Sequence, residues 1–407
     1  MHLSITQLNL PQKWINFLSI LRCLFGLHLI LPFLRSSSKL RISVMVVHIK
    51  MSRPHDGHPP AFPFGNAFRM IFPRGSYLSP KIAGLLTSFE YTLAERLKKL
   101  MLKDQSDVLV LSWMRLAMEL LCETFADIKV LIAELRFPVA DWDEKWMDAY
   151  LDNSVKLLDI CLAFSSEISR INQAQLLLQC VLHILDVSRG FPSREQLVCA
   201  HSSLGDWMKQ ICLRNPKLEN CSTIVYGLIE SLHLPKVKNS AKGKVLMRAI
   251  YGLKVQTTFF CSIFAAAFSG SSKPLVDLHV SDKFLWAEAF NNLQANVNVV
   301  IRSLISNRSP TLLKELEVVQ VSVKRLYPMI DSDGNVLVEE EALKNSVSDL
   351  RKSSERLVQG LDLLSKEVEG FFQIVLTGRN ALLSGLRVGD SDTHSRLEKN
   401  VGEKVMR

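Results

Sequence analysis

With 407 residues, 48% of them hydrophobic and 22% charged, the chain can bury a substantial core, and its 18 glycines and 15 prolines exclude a fibrous or low-complexity protein. The net charge of +9 invites a nucleic-acid reading, but six basic residues and no acidic one fall in the first fifty positions (Lys13, Arg22, Arg35, Lys39, Arg41 and Lys50), leaving 43 basic against 40 acidic residues beyond them. A body so near neutrality excludes the broad basic surface of a nucleic-acid binder, so no nucleic-acid partner is expected.

Residues 1–50 form a basic, acid-free extension. Trp14 to Leu34 is apolar except at Asn16, Ser19, Arg22 and His28, and Pro32 breaks it. Arg22 would lie near the middle of any membrane span, where a charge costs about 2.5–3.5 kcal/mol. Ser36, Ser37 and Ser38 with the flanking basic residues give the look of an organelle presequence, and a signal anchor is the other reading from the residues. Residues 51–78 are an arm rich in Pro and Phe (Pro54, Pro59, Pro60, Phe62, Pro63, Phe64, Phe68, Phe72, Pro73), too dense in proline for a helix interior.

From Ser79 the pattern is helical, and residues 79–235 read as an N-terminal helical region. Ser79-Pro80 supplies an N-cap followed by Pro at the first helical position. A second helix is expected from Ser106 to Leu135, and a third opens at Asp141 with Glu144 at capping-box spacing. The third helix carries a stripe in steps of four and three: Leu157, Cys161, Phe164, Ile168, Ile171, Gln175, Leu178, Leu182 and Leu185, with Gln175 its single polar member. Gly190 and Pro192 stop it, Ser193 with Gln196 caps a fourth, and a fifth runs to about Leu234.

Residues 236–280 combine a basic turn with an apolar helix. Lys236, Lys238, Lys242 and Lys244 crowd together, and Val245 to Phe268 is apolar except where Arg248 and Lys254 interrupt it. The uncharged stretch Val255 to Phe268 is shorter than the roughly 20 residues a bilayer span needs, so a buried core helix is expected, with a membrane span as the alternative. The lysines would suit an anionic membrane surface. Residues 281–390 read as coiled-coil-like helices: one opening at Ser281-Asp282 and running to about Ser306, one capped by Ser309-Pro310 with the stripe Leu312, Leu316, Val319, Val323, Leu326, and a last one after the turn Asp331–Asn335. Its stripe is Leu343, Val347, Leu350, Ser354, Leu357, Leu361, Leu364, Val368, Phe371 and Val375, with Ser354 the polar exception. Apolar repeats of seven sustained this long imply helices packed knobs-into-holes, and because neighbouring helices carry matching stripes the packing is expected within the chain. No segment alternates as a strand does. Residues 391–407 read as a polar tail. The expected fold class is all-α, an elongated bundle of long antiparallel helices with coiled-coil-like packing.

The chemistry-bearing candidates each have a plainer explanation. Lys242-Gly243-Lys244 lacks the rest of a phosphate loop. Cys180, His183, Cys199, His201, Cys212, Cys221 and His233 crowd one region, but their spacing fits no zinc pattern and no metal is expected. The eight cysteines, Cys23, Cys122 and Cys261 included, contain no C-x-x-C pair and read as small hydrophobes in a reducing compartment. Asp331-Ser332-Asp333-Gly334-Asn335 fails as a calcium loop because its glycine stands fourth and Ala342 occupies the place of the bidentate acid. Asp141, Asp143 and Glu144 suit a helix start beside Trp142 and Trp146, and His55 and His58 lie in the arm with nothing to orient them. No catalytic, cofactor-binding or metal-ligating residue is assigned, and no enzyme activity is expected.

Several long strings resemble the plant BYPASS family: Met51-Ser52-Arg53-Pro54, FPFGNAFRM at 62–70, LSWMRLAMELLCETFADIKVLI at 111–132, DWDEKWMDAYLDNSVKLLDICLAFSSEISRINQAQLLLQC at 141–180, RAIYGLKVQTTFFCSIFAAAFSGSS at 248–272 and DSDGNVLVEEEALKNSVSDLR at 331–351. The resemblance runs from Met51 almost to the end, which adds a third reading of residues 1–50, an extension upstream of a start at Met51. It implies a non-enzymatic role in root and shoot development, restraining a mobile, root-derived signal that arrests shoot growth. Wider relatives bind exocyst subunits, so protein partners of that kind, peripheral membrane contact and a cytoplasmic, membrane-associated location are expected, with the plastid as the alternative if residues 1–50 act as a transit peptide. The competing readings are an integral membrane protein spanning near 245–268 and an enzyme of signal metabolism, which would need a polar pocket that the stripes offer only at Gln175 and Ser354.

Overall fold

The computed structural model describes residues 79–101, 109–135, 144–186, 191–233, 241–306 and 312–404. The extension 1–50, the arm 51–78, Ser106, Asp141 to Asp143, Gly190, the lysines at 236 and 238, and Ser309-Pro310 lie outside the described residues. The helices are α1 (Pro80–Lys99), α2 (Leu111–Leu135), α3 (Glu144–Ile184), α4 (Arg194–Cys212), α5 (Pro216–Glu230), α6 (Ala241–Ser269), α7 (Ala287–Ser306), α8 (Lys314–Leu326) and α9 (Glu340–Lys404), with a 3-10 turn at Tyr327–Met329. Among the described residues the extended pairing is confined to a bridge between Ile330 and Val336. The fold is an all-α bundle.

Two of the expected caps are in place. The Ser79 hydroxyl accepts from the Ile82 amide ahead of Pro80, and Ser193 and Gln196 form a reciprocal capping box at the start of α4. Every member of the three sequence stripes is buried, from Leu157 to Leu185 on α3, Leu312 to Leu326 along α8, and Leu343 to Val375 on α9. These stripes pack on one another. The α3–α9 pair is antiparallel, with Arg379 donating to Leu151 O (2.6 Å), Ser354 to Gln175 Oε1 (3.0 Å) and Arg351 to Leu182 O (3.3 Å). The two polar residues that interrupt the stripes therefore meet each other in the seam. A bond between unique polar positions fixes helix register, because a slip of one turn would strand both groups in apolar surroundings.

Antiparallel packing is not universal. α2 runs parallel to α9: Leu111 lies against Gly360, Arg115 within 3.9 Å of Glu367, and Phe125 edge-on to Phe371. α1 likewise runs parallel to α6, with Glu90 opposite Arg248 and Leu93 opposite Gly252. A Cβ at Gly252 would come within 2.9 Å of Leu93 Cδ2 and 3.4 Å of the Trp286 ring, so the absent side chain sets how closely α1 and α6 approach.

α6 is the centre of the bundle, packed against α1, α2, α3 and α5. It is the one described helix long and apolar enough to cross a membrane, and its most apolar window is 89% buried within the fold. Phe259, Phe260 and Phe264 are all but inaccessible, each contributing about 1.5–3 kcal/mol by leaving water. The basic turn expected at 236–244 gives way at Ala241, so that Lys242 and Lys244 sit in the first helical turn.

Three boundaries differ from the sequence expectation, the first two for reasons of tertiary contact. α2 begins at Leu111, after Leu109 at φ +65°. Its first amide donates to both carboxylate oxygens of Glu315 (3.0 and 3.2 Å), so its cap comes from α8 rather than from a neighbouring residue. Ser281-Asp282 does not open a helix; residues 281–286 are turns, and α7 starts at Ala287. There the nearly inaccessible Glu90 pairs with Arg248 and accepts from the Leu285 amide (2.9 Å), while Arg248 donates to Lys283 O and lies 4.7 Å over the Phe284 ring. A buried ion pair that needs those backbone groups outweighs the local capping signal. At the other end, α9 continues as helix to Lys404, through the stretch read as a loose tail.

Candidate functional site

Of the Cys and His residues singled out in the sequence, Cys221 is buried, Cys180, Cys199 and His201 are half-buried, and His183, Cys212 and His233 are exposed. His201 stacks on Tyr327 with ring centroids 4.2 Å apart, and Cys221 donates to Lys217 O. Among the described residues no three His, Cys, Asp or Glu side chains come together as a metal site would require. Burial pushes the Cys122 thiol up to about 12 and that of Cys221 to about 11, and raises Cys161 and Cys261 as well, which makes them poor nucleophiles. The Asp331 carboxylate is spent within its own turn. Its Oδ1 accepts from the Asp333 and Asn335 amides (3.0 and 2.7 Å), and its Oδ2 accepts from Asn335 Nδ2 (2.7 Å). Gly334, at φ +79°, lets the turn lie directly on the Arg194 carbonyl. Glu144 and Trp146 lie in the first turn of α3.

Two concavities stand out. A polar groove of about 740 Å³ follows the far end of the α3–α9 seam, with Arg351, Lys352 and Arg356 interspersed with Asp186, Glu355 and Asp362, and Ser354 at its floor. Mixed charge of this kind is what a solvated helix face carries.

The second is a different kind of space. A cavity of about 400 Å³, inside the roughly 300–1,000 Å³ range of small-ligand sites, opens where five helices diverge. α2 contributes Phe125, Ile128, Lys129 and Ile132; α3 contributes Tyr150, Asn153, Ser154 and Leu157; α6 contributes Ile250, Leu253, Lys254, Thr257 and Thr258. Leu228 of α5, Ser231 just after it and, from α9, Ile374, Val375, Thr377, Gly378, Ala381 and Leu382 complete the wall. Gly378 makes room for the ring of Tyr150, since a Cβ there would stand 2.8 Å from the hydroxyl.

The polar lining is sparse and specific. Lys254 Nζ reaches the Ser231 carbonyl at 3.5 Å; burial first, and the charge of Lys156 second, lower its pKa below the ordinary 10.5. Lys156 is itself tied to Asp152 (2.7 Å) and to Gly227 O (3.3 Å). Arg379 donates to Leu151 O and to Ser154 Oγ (2.9 Å) at the edge of the cavity. Thr257 returns its hydroxyl to Leu253 O (2.7 Å). Asn153, 6% exposed, has no hydrogen-bond partner for either side-chain amide atom. This arrangement can hold a molecule. It brings Lys129 and Lys254 to the lining but, among the described residues, no carboxylate or imidazole to move a proton beside them.

Sequence reading did not find this cavity, whose walls come from five helices. The available signal was Lys254, a charge interrupting an otherwise apolar run.

The fold and its cavity define the chain as an all-helical bundle with heptad seams, and comparison with known proteins gives its family. The family described as Protein ROH1-like matches residues 79–208. Protein BPS1, chloroplastic, of Arabidopsis thaliana is 47% identical over 358 residues, spanning 88% of this chain and 99% of that protein. UPF0496 protein 4 of Oryza sativa subsp. indica and its counterpart in subsp. japonica are each 40% identical, over 84% of this chain and 98% of theirs. The chain belongs to this BYPASS-type, ROH1-like family. No solved structure matches it.

Proposed function

We propose that this chain is a non-enzymatic plant developmental regulator, required for normal root and shoot growth because it restrains a root-derived mobile signal that arrests the shoot. The observation that carries the reading is the near full-length relationship to the Arabidopsis protein, at 47% identity over 99% of that protein. The role expected of the family travels with an alignment of that extent. The regulator acts through protein–protein contacts at membranes or in vesicle traffic, with exocyst subunits as the partner class, and works in the cytoplasm and at membrane surfaces. Long helices with exposed polar faces on a rigid core support an interaction role. The relative's name, chloroplastic, favours a second location, the plastid, reached with residues 1–50 as a transit peptide.

Reciprocal grafting tests the reading. A root lacking this protein is expected to arrest a normal shoot, and a normal root to rescue a shoot that lacks it. Normal growth of both grafts would overturn the proposal. Affinity capture from root tissue that repeatedly yields no exocyst subunit would remove that partner while leaving the developmental role. Fractionation with plastid and cytosolic markers decides the location.

A further inference from the structure

The cavity among α2, α3, α5, α6 and α9 has a chemical bias beyond its size. Its charged lining consists of Lys129 and Lys254; no Asp or Glu of the described residues reaches it. Apolar side chains form most of the remaining wall. Asn153 is buried with both amide atoms unpartnered, a condition native cores seldom tolerate and one that a bound polar group would relieve.

We propose that this cavity is a binding site for an amphipathic carboxylate, its apolar body along Phe125, Leu253 and Val375, its head group paired with Lys254, and a second polar group of the ligand met by the Asn153 amide. A cation held in a poorly solvated wall binds an anion more strongly than a surface lysine does, because neither charge is screened by water. The same wall repels a cationic head group and gains little from a neutral one. The burial that lowers the Lys254 pKa has the same cause. This inference stands apart from the developmental reading: the grafts can fail while binding holds, and the reverse.

The test uses the purified full chain and three probes of equal chain length: dodecanoate, dodecanol and dodecylamine. Titration calorimetry is expected to show one dodecanoate per chain, bound about tenfold or more tighter than dodecanol, with no measurable binding of dodecylamine. Lys254→Met keeps the apolar stem and removes the charge, and it is expected to bring dodecanoate down to the affinity of dodecanol. The probe ranking on the unaltered chain depends on no variant, so a misfolded Lys254→Met would not rescue the proposal. Equal binding of the three probes, preference for the amine, many weak sites per chain, or a carboxylate preference that survives in a folded Lys254→Met would each overturn it.

Discussion

Replacing Arg248 by Met strands a charge in the core. Glu90 is 1% exposed and would be left with the Leu285 amide as its remaining partner of those described above. Removing one member of a buried ion pair costs about 3–5 kcal/mol, since the other stays desolvated and uncompensated. The lost cation–π contact with Phe284 adds about 0.5–2 kcal/mol, and the freed Lys283 carbonyl roughly another 1 kcal/mol. These contributions overlap, and a net loss of about 4 kcal/mol is expected. Glu90→Leu should be destabilising for the mirror reason, the largely buried guanidinium losing its carboxylate. The double variant Glu90→Leu/Arg248→Met removes both charges. Its remaining cost is the two backbone groups at Lys283 and Leu285, about 1–2 kcal/mol together. Urea unfolding followed by circular dichroism, with equal m-values required of all four proteins, gives the cycle. The expected sign is clear: the double variant is more stable than Arg248→Met alone. A double variant whose loss equals the sum of the two single losses would refute the reasoning, and with it the claim that this pair shapes residues 281–286.

Four further outcomes are expected. Gln175→Leu/Ser354→Ala exchanges a buried hydrogen bond and an unpartnered Gln175 Nε2 for apolar contact, and should raise stability by about 1 kcal/mol in denaturant titration while permitting register slips that crosslinking between α3 and α9 detects. Gly252→Ala drives a Cβ to 2.9 Å from Leu93 Cδ2 and should lower the unfolding midpoint by about 1–3 kcal/mol equivalent. Lys254 is protonated less readily in the folded chain than in the unfolded one, whose value is near 10.5. Its burial therefore weakens the fold below the folded pKa, and stability recovers as pH rises through that value towards 10.5; Lys254→Met should be more stable at neutral pH and lack this rise. Iodoacetamide should label exposed Cys212 quickly in the native protein, while Cys161 and Cys261 react only on unfolding, as peptide mass spectrometry would show.

How much of this was legible in advance depended on the range of the interactions. The stripes on α3, α8 and α9 follow from a periodicity carried by each helix alone, and all of their positions are buried. Gln175 and Ser354 were visible as interruptions of two separate patterns; that they meet follows once the helices are antiparallel and their stripes face each other. The cap on α2 was not legible, because its donor is at 111 and its acceptor at 315. The start of α7 was misplaced because Ser281-Asp282 is a sound local signal and the groups that override it, Glu90 and Arg248, lie elsewhere in the chain. The cavity is the extreme case: periodicity predicts which residues leave water, and says nothing of where five helices fail to close on one another.

The placement of α6 bears on how the chain is made. A long helix whose second half, from Val255, is apolar and uncharged is a hazard as it leaves the ribosome, open to aggregation and to capture by the membrane-insertion machinery. Its principal neighbours, α1, α2, α3 and α5, all precede it in the sequence. When α6 emerges, much of the surface that will cover it has already been synthesised, including Glu90, the partner of Arg248, while Trp286 and Phe290, which pack on Gly252 and Phe259, follow it. Folding that proceeds from the N-terminus during synthesis can therefore sheathe the most apolar segment as it appears. α9, which packs over α2 and α3, is the last helix to be synthesised.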